Sequence, residues 1–421
     1  MSETSRMPEL ATLPPEPGLN RSLTLMAVVL YGLGVTIGAG IYVLIGATAA
    51  RAGLYAPTAF LISAFVMAFS AASYAAMAVR YPVSGGEAVF VDQGFGRPVL
   101  GLIVGLLIMT SGLVSAATIS LGAAGYIGQF VPMSPKVLAG IVVIGMGIVA
   151  ALSVNLSVGI AGALTVVEVG GLLIVITAGF GGEPETITRL PELVPHSLDG
   201  AVWGGIFAAG LLAFFAFIGF EDMVNIAEEV ERPERNLPLA IFVTLGLATL
   251  IYFLVAAVAV LRVGPAALEG EAAPLALIFS RVTPFPIWVM TVIAIIATLN
   301  GVIIQIIMAA RVAFGLASRG RLPRLLAKVH PRTRTPVTAT VIMTALVLGL
   351  AVSFDLTGLA EMTSRVTLLV FVLVNLALVR IKLKGIGSEN REGEAAGGFD
   401  VPIWVPAIGA VLSIFLMIGG T

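Results

Sequence analysis

The segment Gly32-Leu-Gly34-Val-Thr-Ile-Gly38-Ala-Gly40-Ile-Tyr42 decides the fold, because it places four glycines inside an apolar run long enough to cross a membrane. Each glycine costs a helix interior about 1 kcal/mol relative to alanine. Backbone that leaves helical geometry at membrane depth is tolerated only where protein or a watery cavity surrounds it. The segment therefore predicts either a helix that is broken beside a buried site, or a small-residue face for close helix packing.

A second interrupted segment, five predicted spans later, favours the broken helix. The sixth span reads Phe214-Phe-Ala-Phe-Ile-Gly219-Phe-Glu221-Asp222, with one glycine and two carboxylates. Because five is odd, this copy enters the membrane from the opposite face, as in inverted-repeat transporters. Helix N-termini at one break can bind an anion, and freed carbonyls at the other can bind a cation. A ligand that carries both charges on one carbon is an α-amino acid.

Composition identifies the class of protein. The chain is 58% apolar and only 11% charged, with a net charge of −1 and no cysteine, whereas a soluble domain has about 25% charged residues. Apolar runs of membrane-spanning length recur throughout, so we predict an all-α integral membrane protein in a lipid bilayer. The net charge gives no support to a nucleic-acid partner. The absence of cysteine excludes disulfides, thiolate metal sites and thiol catalysis.

Hydropathy predicts eleven membrane spans, and basic residues orient them. Of the 23 Lys and Arg residues, seventeen lie in loops on the side of the N-terminus and five lie on the other side. The remaining one, Arg365, lies inside a span. The N-terminus is therefore predicted to be cytoplasmic. The five basic residues on the outer side are Arg51, Lys136, Arg189, Arg262 and Arg281. The predicted spans are 24–50, 56–79, 98–130, 137–154, 158–180, 201–229, 238–262, 286–317, 337–354, 358–380 and 402–420.

The spans divide the chain into four predicted regions. A cytoplasmic tail, 1–23, precedes a ten-helix transport core, 24–381, and the core consists of repeats 24–180 and 201–381. A cytoplasmic loop, 382–401, then leads to an eleventh transmembrane helix, 402–421.

Three motifs resemble the amino acid–polyamine–organocation (APC) superfamily of permeases. They are Thr36-Ile-Gly-Ala-Gly-Ile-Tyr42, Tyr81-Pro-Val-Ser-Gly-Gly-Glu87 and the segment 214–238, which contains Ala227-Glu-Glu-Val-Glu-Arg-Pro233. The resemblance covers residues 22 to 380. It implies a LeuT-like core with an inverted 5+5 helix repeat, broken helices 1 and 6, and alternating access. Members usually have twelve spans, so the eleven predicted here differ from the family pattern. The difference affects any dimer contact made by the last helices, and it does not affect the core site.

The resemblance also implies a substrate site made of main-chain groups. Backbone amides of the first break would bind the substrate carboxylate, and carbonyls of the second break would bind its ammonium group. The amide positions are Ile37, Gly38, Ala39 and Gly40, the carbonyl positions are Phe215, Ala216 and Ile218, and Thr36 and Gly219 complete the candidate site.

Three carboxylates within the spans are candidates for proton coupling or gating, because an ionisable group in a membrane is costly. Glu168 lies about 15 Å along the fifth span, near the bilayer midplane. In similar permeases a lysine or glutamate stands there, and the lysine couples transport to protons. Glu168 could equally be a structural carboxyl bonded to a neighbouring helix. Glu221 and Asp222 follow the second break, where they could gate the site or cap the helix that follows.

Other polar residues of the spans carry weaker predictions. Glu361 and Arg365 form an i,i+4 pair near the outer end of span 10, which could be an outer gate but is better explained as a self-satisfied pair. Asn300 and Gln305 on span 8 could face substrate or bind a neighbouring helix. Both histidines, His196 and His330, lie in loops, so we predict no metal site, no cofactor and no intramembrane histidine relay.

The sequence therefore predicts a secondary active amino acid transporter in the cytoplasmic membrane, a monomer or homodimer, that takes up neutral amino acids with protons. An exchanger of amino acids, or of an amino acid and an amine, is the alternative. An enzyme would need a nucleophile–base pair or metal ligands at membrane depth, and none is evident. A channel would show unsaturable flux, and a nutrient sensor would bind ligand without moving it.

Overall fold

A computed structural model describes residues 21–82, 86–152, 158–331, 333–385 and 398–420. Most of the predicted tail, most of the predicted loop 382–401 and three residues of the second motif lie outside these ranges. The describable part of the chain forms α-helices and shorter helical turns, and it contains no β-strand.

The α-helices are numbered in chain order. They are α1 Leu25–Ile37, α2 Gly40–Ala52, α3 Ala56–Arg80, α4 Gly86–Phe95, α5 Pro98–Ile127, α6 Pro135–Leu152, α7 Val158–Gly181, α8 Glu185–Thr188, α9 Gly200–Phe217, α10 Pro233–Val258, α11 Pro265–Leu268, α12 Pro274–Val282, α13 Trp288–Ser318, α14 Val337–Ser353, α15 Leu356–Lys384 and α16 Trp404–Gly419. Four 3-10 helices, Gly53–Tyr55, Leu190–Leu193, Phe220–Glu229 and Arg324–Ala327, and a π-helical turn, Ala259–Val263, complete the set.

Eight helical segments of the described ranges, which contain α3, α5, α6, α7, α9, α10, α13 and α15, are long and apolar enough to cross a membrane. Three further apolar helices, α1, α14 and α16, have fewer than 18 residues. With 13 residues each, α1 and α2 are about 20 Å long, less than the roughly 30 Å of a hydrocarbon core. Neither crosses alone. The chain is a multi-pass helical membrane protein.

The outer surface of the bundle is apolar, as lipid contact requires. On α6, Ile141, Ile144 and Ile148 follow helical spacing and are 54%, 49% and 55% exposed. A soluble protein rarely exposes contiguous apolar surface of this kind. This face of α6 is therefore suited to contact with acyl chains.

Packing places the two interrupted segments at the centre of the bundle. Helix α2 packs on α9, while α13 and α15 pack along α5, and α1 packs on α10. The start of α1 is tied to the end of the 3-10 helix Phe220–Glu229, because the amides of Ser22 and Leu23 donate to the Glu229 carbonyl at 3.0 and 2.9 Å. We call the end of the bundle where α1 begins and α3 ends the N-terminal face.

Candidate functional site

The first break separates α1 from α2. Helix α1 ends at Ile37, with Gly38 as its C-cap, and α2 begins at Gly40. Between them Ala39 has φ −126° and ψ −32°, which interrupts the helical run. Amides in the first turn of α2 have no carbonyl within their own helix, and the positive end of the α2 dipole lies at the same place. The break is therefore suited to bind an anion.

The second break follows α9. That helix ends at Phe217, Ile218 is extended with ψ 132°, and Gly219 has φ +126°. A side chain is rarely compatible with such a φ, so the position requires glycine. The backbone then continues as the 3-10 helix Phe220–Glu229. Glu221 stabilises the turn, because its Oε2 accepts a hydrogen bond from the Gly219 amide at 2.8 Å.

The two breaks cross each other at close range. A Cβ atom added to Gly40 would lie 2.9 Å from the Cβ of Ala216 and closer still to its Cα. A Cβ added to Gly219 would lie 2.8 Å from the carbonyl oxygen of Val35. Real Cβ atoms do not approach so closely, so glycine at both positions lets the two interrupted backbones touch.

Tyr252 of α10 joins the two breaks. Its hydroxyl lies 2.8 Å from the carbonyl oxygen of Thr36 and 2.8 Å from that of Ala216. The side chain is fully buried. Sequence reasoning missed this residue, because nothing local marks a tyrosine on an apolar helix as a partner of distant carbonyls.

A cavity lies between the crossed breaks, and α5 and α13 close its other sides. The lining includes every predicted substrate-binding position except Ile37, Ala216 and Gly219, and its described residues include no charged side chain. Its residues are Gly34, Val35, Thr36, Gly38, Ala39, Gly40, Ser115, Ile119, Phe215, Ile218, Gly301, Ile304 and Gln305. We call it the central cavity.

The three carbonyls predicted to receive an ammonium group differ in their present partners. The Ala216 carbonyl faces the Tyr252 hydroxyl, and the Phe215 carbonyl accepts a hydrogen bond from the Ile218 amide at 3.2 Å. The Ile218 carbonyl accepts no hydrogen bond from any described residue. Of the three, Ile218 thus has the carbonyl most available to a ligand.

Glu168 lies behind the first break. It is fully buried on α7, and neither carboxylate oxygen has a hydrogen-bond partner among the described residues. A Cβ added to Gly38 would lie 4.0 Å from Oε2 of Glu168. The Tyr42 hydroxyl donates to the backbone carbonyl of Glu168 at 2.7 Å, which fixes α7 against α2. The carboxyl group therefore faces the break without a structural bond of its own.

A second cavity adjoins the central cavity on the side of the N-terminal face. Three carboxylates line it, from Glu87 on α4 and from Glu221 and Asp222 on the 3-10 helix. It shares Ile218 and Gln305 with the central cavity. We call it the acidic chamber. It joins two predicted residues to Glu87, which the sequence analysis quoted only as part of a motif.

Glu87 lies outside the membrane-spanning segments and is nevertheless buried. Burial raises the pKa of Glu87 to about 8, and the charge of Asp222 adds to the rise, while a hydrogen bond from its own backbone amide opposes it. The only signal in the sequence was an acidic residue beside two glycines in the segment between the second and third predicted spans.

The remaining predicted residues lie away from both cavities. Asn300 is buried on α13, its Oδ1 has no partner among the described residues, and it lines neither cavity. At the opposite end of the bundle, Arg365 pairs with Glu361 at 3.3 Å, as the i,i+4 spacing predicted. Glu361 also pairs with Arg51 of α2. Glu361 therefore connects α15 to α2, and the Glu361–Arg365 pair is not the self-satisfied pair that the spacing predicted.

Comparison with known proteins gives a consistent result. A sequence profile for a family described as amino acid permease matches residues 22–419. An uncharacterised transporter of Mycobacterium tuberculosis is 31% identical over 87% of this chain and 81% of its own length. The branched-chain amino acid permease of Bacillus subtilis is 29% identical, over 89% and 84% of the two chains. A vacuolar cationic amino acid transporter of Arabidopsis thaliana is 30% identical, over 86% and 60%.

Proposed function

Because the chain belongs to the amino acid permease family, we propose that it is a secondary active transporter that carries neutral amino acids together with protons by alternating access. The observation that supports this most directly is the central cavity, which lies where the two interrupted helices cross. First-turn amides of α2 would bind the substrate carboxylate. The free carbonyl of Ile218 would receive its ammonium group. The resemblance to permeases noted from the motifs is confirmed by the family match.

Neutral substrates are proposed from the chemistry of the central cavity. The described residues of its lining carry no charge, and their side chains are apolar or uncharged and polar, such as Ile119, Ile304 and Ser115. A charged substrate side chain would lose its hydration there without a partner. The name of the Bacillus subtilis relative supports the same class of substrate.

The proposal includes the architecture and the orientation predicted from the sequence. Eleven spans would form two inverted repeats, 24–180 and 201–381, followed by one further helix. The N-terminal face would be cytoplasmic, in a cytoplasmic membrane. Glu168 would carry the coupled proton, because its carboxyl group is buried beside the first break with no bond that a purely structural role would require.

Transport by purified protein in liposomes tests the proposal. With an outside-acid pH gradient and no internal substrate, we expect saturable accumulation of valine or leucine that a protonophore abolishes. Uptake that requires internal amino acid would instead establish an exchanger. If none of the twenty amino acids gives saturable uptake or counterflow, the transport assignment is wrong.

The outer ion pairs predict how alternating access responds to Glu361→Gln. This change removes the pair from Glu361 to Arg51, which links α2 to α15, together with the pair to Arg365 within α15. The two arginine side chains are 33% and 36% exposed, and pairs of this kind are worth about 0.2–1 kcal/mol each. We expect the outer side to open about two- to fivefold more often.

Labelling in whole cells measures this opening, because the chain has no cysteine of its own. Ser115→Cys places a thiol in the central cavity, and an impermeant maleimide reports access from outside. Glu192→Gln is the matched control, since it breaks the exposed Arg189–Glu192 pair, which joins no two membrane helices. Equal labelling rates with and without Glu361→Gln would show that these pairs do not hold the outer side closed.

A further inference from the structure

The acidic chamber holds three carboxylates without cationic partners. None of the ion pairs found among the described residues includes Glu87, Glu221 or Asp222. The described residues that line the chamber include no lysine or arginine. Glu221 uses one oxygen to accept the Gly219 amide, which leaves its other oxygen and two further carboxyl groups facing the same space. Carboxylates that share a buried site repel each other and tend to hold protons, and a cation that binds among them favours their charged forms and displaces those protons.

Gln305 is an independent sign of a ligand. Its side chain is only 8% exposed, it lines the chamber, and its amide makes no hydrogen bond to any residue that the structure describes. Its two N–H donors and one carbonyl acceptor are therefore available to a polar group inside the cavity.

The rest of the lining indicates an organic cation. Ile108, Met308 and Val370 offer apolar surface, and Phe371 offers an aromatic ring within a cluster that includes Tyr74 at 5.2 Å between ring centroids. Ammonium groups are attracted to such ring faces, most strongly where water is excluded. Among the described residues, no three acidic, histidine or cysteine side chains are grouped closely enough to hold a metal ion. Separated carboxylates beside apolar and aromatic surface suit a short alkylammonium ion.

We propose that the acidic chamber binds the primary ammonium group of a small alkylamine, at a site next to the central cavity and distinct from it. Glu87 and Asp222 bind the ammonium group, the Gln305 carbonyl accepts one of its hydrogens, and the alkyl chain packs against Ile108 and Val370. The proposal goes beyond the proposed function, because it requires binding only and holds whether or not amino acids are transported.

Isobutylamine is the probe, because it is valine without the carboxylate that the first break would bind. Isobutanol is the matched control ligand, since it has the same carbon skeleton without the positive charge. The full-length protein is unfolded thermally in detergent across a series of probe concentrations at constant ionic strength. A ligand that binds the folded state raises the unfolding temperature, and above its Kd the stabilisation grows with the logarithm of its concentration. We expect stabilisation by isobutylamine and none by isobutanol.

Two variants assign the binding to the chamber. Glu87→Gln and Asp222→Asn keep the shape of each side chain but cannot ionise when the ammonium group binds, so each is expected to weaken isobutylamine binding at least tenfold. Glu234→Gln, an exposed carboxylate at the start of α10, is the matched control and should bind as the unaltered chain does. Where one variant fails to fold, the other decides. No stabilisation by isobutylamine, or equal affinity in both chamber variants, would overturn the proposal.

A measurement with valine distinguishes the two possible sources of the bound ammonium group, a free amine and the amino group of a transported amino acid. If valine and isobutylamine stabilise the protein additively, the chamber takes a free amine while an amino acid occupies the central cavity. If valine displaces isobutylamine, the chamber receives the amino group of the substrate in transit. Failure of the proposed function is distinguishable, because valine uptake would then be absent while isobutylamine binding still depended on Glu87.

Discussion

Gly40→Ala is expected to reduce the rate of amino acid uptake about 5- to 150-fold while the protein remains inserted and folded. The added methyl group would lie 2.9 Å from the Cβ of Ala216 and closer to its Cα, which is backbone and cannot rotate away. Overpacking of this kind costs about 1–3 kcal/mol, and each 1.4 kcal/mol is a factor of ten. The strain arises where the two breaks cross beside the central cavity, so it acts directly on the state that binds substrate.

Uptake per amount of inserted protein, together with thermal unfolding in detergent, measures this effect. Gly349→Ala is the matched control, because a Cβ at that glycine of α14 meets nothing within 4 Å. Gly219→Ala should resemble Gly40→Ala, since its φ of +126° strains any side chain. Uptake at the unaltered rate by Gly40→Ala would show that the close crossing is not needed for transport.

Glu168→Gln is expected to abolish proton-driven accumulation and to preserve exchange. An ionised carboxylate that is fully buried without a partner costs several kcal/mol, so Glu168 is expected to hold a proton whenever the site is closed around it. Glutamine has the same shape and cannot release a proton. A gradient of one pH unit provides 1.36 kcal/mol, or tenfold accumulation for each coupled proton. In the variant, accumulation should fall to about onefold.

Two assays on the same liposomes distinguish loss of coupling from loss of transport. Accumulation under a pH gradient should disappear in Glu168→Gln, while counterflow against internal unlabelled substrate should remain within about twofold of the unaltered rate. Glu185→Gln, an exposed carboxylate after the end of α7, serves as the control. Tenfold accumulation by Glu168→Gln would remove this residue from the coupling mechanism.

The positions of the helix breaks could be predicted from the sequence, because their causes are local. Four glycines weaken the first span around Gly38, and Gly219 allows a φ that side chains oppose. The structure interrupts the helices at these two places. The course of the chain after Gly219 was less predictable. A 3-10 helix of ten residues is unusually long for its type, and contacts with α1, α3 and α10 accompany it.

The contacts around the site could not be predicted, because they join residues far apart in the chain. Tyr252 binds a carbonyl 216 residues away, and Arg51 pairs with a carboxylate 310 residues away. Sequence spacing within one helix identified the Glu361–Arg365 pair but gave no sign of Arg51. Glu87 stood in a quoted motif, yet only the folded chain brings it beside Glu221 and Asp222.

The number of membrane spans, too, could be predicted from the sequence only in part. Hydropathy predicted eleven, whereas length and composition identify eight sufficiently long helical segments within the described residues, with α1, α14 and α16 below that length. Neighbouring helices can complete a crossing that one short helix does not make. Length alone therefore does not decide whether α14, with 17 residues, spans the bilayer.

The single hydroxyl hydrogen of Tyr252 has a consequence for communication between the two halves of the chain. Two carbonyl oxygens, of Thr36 and Ala216, lie at the same distance from that hydroxyl, and one hydrogen cannot fully satisfy both. An ammonium ion that approached Ala216 would take over its carbonyl and release the hydrogen to Thr36. Binding of an ammonium group at Ala216, in the second half of the chain, would thus strengthen the hydrogen bond from Tyr252 to Thr36 in the first half. No side chain would have to change its rotamer.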